Sequence, residues 1–342
     1  MRAVVAASPD VVEVWDVAEP EVHDSGDAVV SVVASAICGA DLLPVAGHVP
    51  NFEWGTVLGH EFIGTVLKVG DDVPFKVGTR VVCSSTVSCG HCRACREGGS
   101  SQCESMSLFG FSGVYPRLDG GQAERVRVPQ AGRLLWPLPS ELDDDNAVFV
   151  ADILPTAMRA VERADFKDDD LVVVTGAGPV GLLAILLSKL RTDRVLVVEP
   201  DAARREMVGS WGALTCVPDE APARVAEISG GRGADAVIEA SGNEAALRLG
   251  LELVRGRGTV SVVGAHFNPA APIDLGGMFA KETTLRFSMG SPTDDRQRAA
   301  NLILDGRIDP SRIISHRFSL EEAPEAYEAF RTHQATKIVL RP

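Results

Sequence analysis

Four cysteines crowd one short stretch of the chain, Cys89, Cys92, Cys95 and Cys103, spaced C-x2-C-x2-C-x7-C. Thiolates this close in sequence can converge on one tetrahedral metal ion, and four of them leave no position for substrate, which is the pattern of a structural zinc. An iron–sulfur cluster is the competing occupant, but bacterial ferredoxin spacing ends on a three-residue gap followed by proline. Here the last gap is seven residues and Glu104 follows, so zinc is expected. His91, inside the loop, reads as a bystander. Cys83 and Cys216 lie in apolar strand-like runs and read as core. Seven cysteines in all are an odd number for a disulfide framework, and clustered ones point to metal in a reducing compartment.

A second segment suits a dinucleotide. Thr175-Gly-Ala-Gly-Pro-Val-Gly181 follows the apolar run Leu171–Val174 and opens an apolar helix. Gly176 would make the tight turn, Gly178 would let backbone approach a pyrophosphate, and Gly181 would allow close helix packing, with Pro179 and Val180 in the first turn. The helix N-terminus then favours the anion. Glu199 ends the next strand-like run, 18 residues after Gly181, close to the spacing of about 20 at which an acidic residue binds the adenosine ribose. A carboxylate there repels a 2′-phosphate and favours NAD. Arg204 and Arg205 lie close enough to leave NADP open, or to be a solvated helix face.

Three further segments are ordinary one at a time: Cys38-Gly-Ala-Asp41, Gly59-His60-Glu61 and Asp152-Ile-Leu-Pro-Thr156. Their order, with the cysteine lobe between the second and third and the glycine loop after the third, resembles the zinc-containing medium-chain dehydrogenases. That family includes alcohol, sorbitol, threonine and formaldehyde dehydrogenases. The resemblance covers essentially the whole chain, out to His316-Arg-Phe-Ser-Leu-Glu-Glu-Ala and Lys337-Ile-Val-Leu. It implies a catalytic zinc held by Cys38, His60 and Asp152 with the fourth position open, and hence two zinc ions per chain. It further implies Glu61 beside that zinc, Asp41 orienting the ligand histidine, and Thr156 against the nicotinamide. The implied reaction is hydride transfer between an alcohol/carbonyl pair, with a secondary alcohol or polyol as the expected substrate, and NAD(H).

The departures matter too. Asp152 stands where Cys or Glu is more usual and resembles the formaldehyde-dehydrogenase branch, so an aldehyde-oxidising enzyme is an alternative. A catalytically silent NAD- or zinc-binding regulator and a zinc-free quinone-reductase relative are others. The presence of Cys38, His60 and Asp152 speaks against the first, and the full cysteine lobe with the Gly-His-Glu segment against the second. Ala40 and Leu43 replace the hydroxyl and imidazole with which many relatives relay a proton, which leaves His48, a water chain or the substrate cleft as routes. Trp54, Phe109 and Phe111 are candidates to line an apolar cleft, or are simply core.

These groups need a scaffold, and its texture changes near Leu154. Before it, short Val-rich runs (Ala28–Ala34, Phe62–Val69, Arg80–Ser84, Ala123–Val128) broken by Gly, Pro and Asp read as all-β. After it, strand-like runs alternate with longer amphipathic segments, the punctuation of a parallel sheet. The expected fold is α/β. Residues 1–152 form a GroES-like β-rich catalytic domain, with the zinc lobe at about 83–110. Residues 153–286 form a Rossmann doubly wound cofactor domain, and 287–342 return to the first domain. At 342 residues, two cores are expected. A net charge of −14 argues against nucleic acid or an anionic membrane as partner. The long uncharged run Leu171–Ser188 is interrupted by glycines and a proline, and no signal peptide is visible. A cytoplasmic protein acting on small molecules is expected, a homodimer or homotetramer by the resemblance.

Overall fold

The structure, a computed structural model, describes residues 1–266 and 273–342. The described chain divides into two compact units, Met1–Pro155 with Ser291–Pro342, and Thr156–Gly290.

In the first unit β1 (Arg2–Ser8) and β2 (Val11–Asp16) form an antiparallel ribbon. The main sheet starts with β3 (Ala28–Ile37), an uncharged Val/Ala run that is buried along most of its length. It continues through β4 (Glu61–Val69) and β5 (Arg80–Cys83). The two-residue strands β6 (Thr86–Val87) and β7 (Ser107–Leu108) pair with each other and pinch together the ends of the segment that carries the four clustered cysteines. Then come β8 (Arg125–Val128) and β9 (Leu135–Pro137).

The second unit holds β10 (Val172–Thr175), β11 (Val195–Val198), β12 (Leu214–Cys216), β13 (Ala234–Glu239), β14 (Val254–Val262) and β15 (Thr284–Phe287). All pair in parallel, in the order β12-β11-β10-β13-β14-β15. The order reverses between β10 and β13, which is where a doubly wound sheet opens a crevice for a dinucleotide. The four residues of β10 and of β11 are all buried, as expected of parallel strands covered by helices on both faces.

The chain then returns to the first unit with β16 (Ile314–Ser319) and β17 (Lys337–Arg341). The mixed sheet there runs β16-β17-β3-β4-β5-β9, with β8 also on β3. Its register assembles the site. Antiparallel pairing sets Ala36 opposite Glu61 and Ile37 opposite Ile338, so Cys38, His60 and Lys337 leave their strands at one sheet end. Pairing of Ile63 with Val82 brings Ser84 and Ser85, just past β5, to that same end. Among the described residues, no helix is long and apolar enough to cross a membrane.

Candidate metal centres and dinucleotide loop

At this sheet end one donor atom each from Cys38, His60, Glu61 and Asp152 lies within 4.8 Å of the others. Cys38 follows β3 and starts a short 3-10 turn, Gly39–Asp41. The turn brings Asp41 back under its own start, where Oδ2 accepts the Cys38 backbone N–H at 2.9 Å. Asp41 Oδ1 lies 2.9 Å from His60 Nδ1; the separation is that of a hydrogen bond, although the alignment is off line. Nε2 then faces Asp152 Oδ2 at 3.7 Å. Asp152 sits between the 3-10 turn Val148–Ala151 and the helix Ile153–Ala164. Its other oxygen accepts the Ser85 hydroxyl at 2.8 Å.

Glu61 is fully buried and salt-bridged to the equally buried Lys337, 2.6 Å from Oε2. Lys337 also donates to the Ile37 carbonyl at 3.1 Å. Among the described residues, Glu61 Oε1 has no hydrogen-bond partner. A buried carboxylate oxygen left bare costs free energy, and a cation is the natural partner for it.

The charges agree. Burial, and next the charge of Glu61, push the Cys38 thiol up. Burial also pushes the Glu61 carboxyl up against the pull of Lys337. Burial alone would lower His60, yet the charges of Asp41 and Cys38 hold it well above its usual value. Buried acidic groups thus crowd one point, where a bound cation would offset both their burial and their mutual repulsion. Such a mixed S, N and O donor set fits zinc.

The second cluster lies inside the loop closed by β6 and β7. One Sγ from each of Cys89, Cys92, Cys95 and Cys103 lies within 4.8 Å of the others. Backbone N–H groups point at sulfur: Cys89 at Cys103 Sγ, 3.2 Å, and Cys92 at Cys89 Sγ, 3.3 Å. Hydrogen bonds from the Cys95 and Glu104 backbones pull the Cys92 thiol down to about 6, favouring the thiolate that binds metal. His91 is exposed and its ring turns to the Cys89 carbonyl, outside the thiol set. Cys83 and Cys216 are buried in separate apolar clusters. All seven cysteines are free.

In the second unit the glycine loop has the shape a pyrophosphate needs. Gly176 adopts φ +94°, and a Cβ there would meet Ser241 at 2.9 Å. A Cβ on Gly181 would lie 2.1 Å from the Gly176 carbonyl oxygen. A Cβ on Gly178 would meet none of the described residues within 4 Å, which leaves its backbone approachable by a ligand's phosphates. Gly178 is the N-cap of the helix Pro179–Lys189, with Pro179 and Val180 first, and no side chain caps its amides. Glu199 is buried at the end of β11. Its oxygens accept the Ala177 N–H at 2.6 Å and the Asp201 N–H at 2.9 Å, which ties it to the loop. Arg205 is committed to the Glu199 and Pro200 carbonyls. Arg204 gives its backbone N–H to Asp201 Oδ1 at 2.8 Å. Thr156 stands at the start of the unit, against Gly290.

The sequence-based candidates for an apolar cleft separate. Phe109 is fully buried, edge-on to Phe62, with no face left for a ligand; core packing wins there. Phe111 lies beside the His60 ring, centroids 6.3 Å apart. Trp54 is partly exposed and packs on Phe52. Ser85, Lys337, Gln122 and Tyr327 were not singled out by sequence.

Residues 24–140 match the model of the alcohol dehydrogenase GroES-like domain, and residues 179–305 that of the zinc-binding dehydrogenases. The zinc-type alcohol dehydrogenase B of Aspergillus flavus is 36% identical over all of this chain and 81% of its own length. The chain belongs to the zinc-binding alcohol dehydrogenase family. Two further comparisons agree with that. The solved alcohol dehydrogenase TADH of Thermus sp. ATN1 superposes with a TM-score of 0.95 at 36% identity, covering 100% of this chain and 99% of that one. The sorbitol dehydrogenase of Halalkalibacterium halodurans is 30% identical over 92% of this chain and 91% of its own. As a zinc-binding alcohol dehydrogenase the chain has the expected pairing of a GroES-like domain with a Rossmann domain.

Proposed function

We propose that this zinc-dependent alcohol dehydrogenase oxidises a secondary alcohol or polyol with NAD, using one zinc held by Cys38, His60 and Asp152 and a second held by the four lobe cysteines. The observation that carries it is the convergence of Cys38, His60, Glu61 and Asp152 at one sheet end. When bound, the ion supplies a Lewis acid for the alcohol or carbonyl oxygen and the nicotinamide supplies the hydride partner.

The chain's own residues prepare that chemistry. Asp41 holds Cys38 and His60 from behind, which turns His60 Nε2 toward the other donors. The Ser85 hydroxyl engages one Asp152 oxygen and leaves the other facing His60. Lys337 neutralises Glu61 and keeps its carboxylate at hand as a reserve ligand. Ala40 and Leu43 pack against an apolar cluster, so the alcohol proton leaves without a histidine relay.

Zinc analysis and a substrate panel test this. The purified protein carries two zinc ions, and Cys38→Ala loses one of them. In that variant kcat falls about a thousandfold or more, the several kcal/mol a Lewis acid supplies. NADH forms with secondary alcohols or polyols; formation with aldehydes alone would favour the aldehyde-oxidising alternative, to which Asp152 points. One zinc, retained in Cys38→Ala, would overturn the catalytic assignment.

For the cofactor, Glu199 supports NAD, since each of its oxygens keeps a lone pair for the ribose. Arg204 is the residue that would favour NADP. Glu199→Gln should raise the ratio of kcat/KM for NADP over NAD by about tenfold or more, the worth of a charged hydrogen bond. An unchanged ratio would remove Glu199 from the cofactor site. A cytoplasmic place is part of this proposal, supported by seven free cysteines. So is a homodimer or homotetramer, supported by the open edge of β15.

A further inference from the structure

A buried polar chain runs away from the proposed catalytic ligands into the body of the first unit. Asp41 is fully buried and already serves Cys38 and His60. A third group faces it, the Gln122 amide, whose Nε2 lies 3.4 Å from Asp41 Oδ2 and 3.4 Å from the Ala36 carbonyl. Both contacts are long, so the amide is placed between two acceptors and needs something else to fix it. Tyr327, on the helix Ala323–Arg331 of the returning segment, supplies that. Its hydroxyl donates to Gln122 Oε1 at 2.7 Å.

The polarity of the chain follows from chemistry. A carbonyl oxygen only accepts, so Tyr327 must donate, and Gln122 must then present its N–H groups to Asp41. Burial holds the Tyr327 phenol far above its usual range, which keeps the proton on it. A flipped amide would aim its oxygen at the Asp41 carboxylate and leave the tyrosine hydrogen facing NH2. One orientation is therefore enforced.

The backbone is shaped around this side chain. Gly59, directly before His60, adopts φ +93°, and a Cβ there would lie 2.4 Å from Gln122 Cγ. Gln122 N–H bonds the Leu58 carbonyl and its own carbonyl takes the Val4 N–H. The main chain of Gln122 is thus pinned on both sides, and the direction of its amide is left to the Tyr327 and Asp41 contacts.

We propose that Gln122 and Tyr327 are positioning residues for the catalytic metal: Tyr327 fixes the Gln122 amide, the amide compensates the buried Asp41 charge, and Asp41 holds Cys38 and His60 in ligand geometry. This rests on Cys38, His60 and Asp152 being zinc ligands. Groups that orient metal ligands from behind are worth about 10- to 100-fold in metal affinity. Neither residue meets substrate.

The test is chelator-driven zinc release from the holoenzyme, followed with a metallochromic chelator, in wild type, Tyr327→Phe, Gln122→Met and the double variant. Phe and Met keep the buried volume, so the fold is preserved. In Tyr327→Phe the catalytic zinc should leave about tenfold faster while the lobe zinc keeps its rate. Because Tyr327 acts through Gln122, the double variant should release zinc no faster than Gln122→Met alone. The KM for alcohol should stay within the wild-type range while kcat falls at matched zinc content. Three results would overturn the proposal: unchanged release in Tyr327→Phe, equal acceleration of both zinc ions, or additive effects in the double variant. If the wild type holds a single zinc that Cys38→Ala does not remove, the ligand assignment itself has failed, and this inference with it. Two zinc ions with unchanged release in Tyr327→Phe would sink this inference alone.

Discussion

Ala40 and Leu43 turn their side chains into the apolar cluster that also contains Phe111 and Tyr327, and neither can carry a proton. His48 follows Leu43 by five positions, but it lies on an exposed turn tied to the Leu43 carbonyl through its backbone N–H. His48→Ala is therefore expected to leave kcat, zinc content and NAD binding unchanged; a variant with intact zinc and NAD binding but no turnover would make His48 the relay. Residues of this kind show how far single positions could be read from sequence. The cysteine quartet and the glycine loop were legible because their partners are neighbours in the chain, so spacing alone encodes geometry. Cys38, His60 and Asp152 needed the resemblance, since nothing local joins them. Lys337 entered only as the start of a terminal segment, and Ser85 not at all. A lysine in a terminal strand and a serine after a Val-Val-Cys run are common, and they meet Glu61 and Asp152 only through the fold, 276 and 67 positions away in the chain. Phe109 shows the opposite failure. Its aromatic character suited a cleft and a core equally well, and only packing against Phe62 decided between them.

Among the elements, the parallel strands were the easiest to read. Runs such as Val172–Thr175 are short and apolar on both faces, and helices follow them, the one after β11 capped where Asp201 accepts the Arg204 N–H. The two-residue strands β6 and β7 were beyond reach, because so short a pair carries no period and forms only when its ends are brought together. The fastening of the last segment was not legible. Asp145, in the helical turn Asp144–Ala147, takes Arg317 from β16 at 2.6 Å and Arg341 from β17 at 2.8 Å. Partial burial opposes ionisation of Asp145, but the hydrogen bonds and charges of these two arginines outweigh it and hold the carboxyl below the usual range. A lowered folded value means the stabilisation is complete above the ordinary aspartate range, near pH 4, and is lost as acid protonates the native carboxyl. Asp145→Asn should cost about 1 kcal/mol at neutral pH in urea unfolding, since the group is partly screened. The gap from wild type should close as the pH falls below that range. A constant gap at all pH values would show that packing, not charge, is responsible.

At the scale of the whole molecule, the second unit leaves β15 at the edge of its sheet. Nearby in the chain, the helix Leu275–Lys281 exposes Leu275 at 74% and Phe279 at 87%, and Phe287 on β15 is 60% exposed. An open strand edge beside large apolar side chains is what proteins cover rather than leave to water. A second copy of the same edge would cover it through a two-fold contact. Phe279→Glu should then lower the mass seen in light scattering to that of the monomer while the isolated chain keeps its circular dichroism; an unchanged mass would place the oligomer contact elsewhere. The ion pair between Glu61 and Lys337 has a consequence in the timing of synthesis. β3 and β4 leave the ribosome early, yet the strand that neutralises Glu61 is made only after every residue of Thr156–Gly290. At about 5–20 residues per second, the nascent first unit waits many seconds with a sheet edge uncovered and an acidic pocket unbalanced. The second unit, by contrast, is one uninterrupted stretch and is free to fold during that wait. By order of translation, the Thr156–Gly290 stretch is complete before the strand that closes the pocket around Glu61 exists, and the β3 edge is the last part of its sheet to be covered.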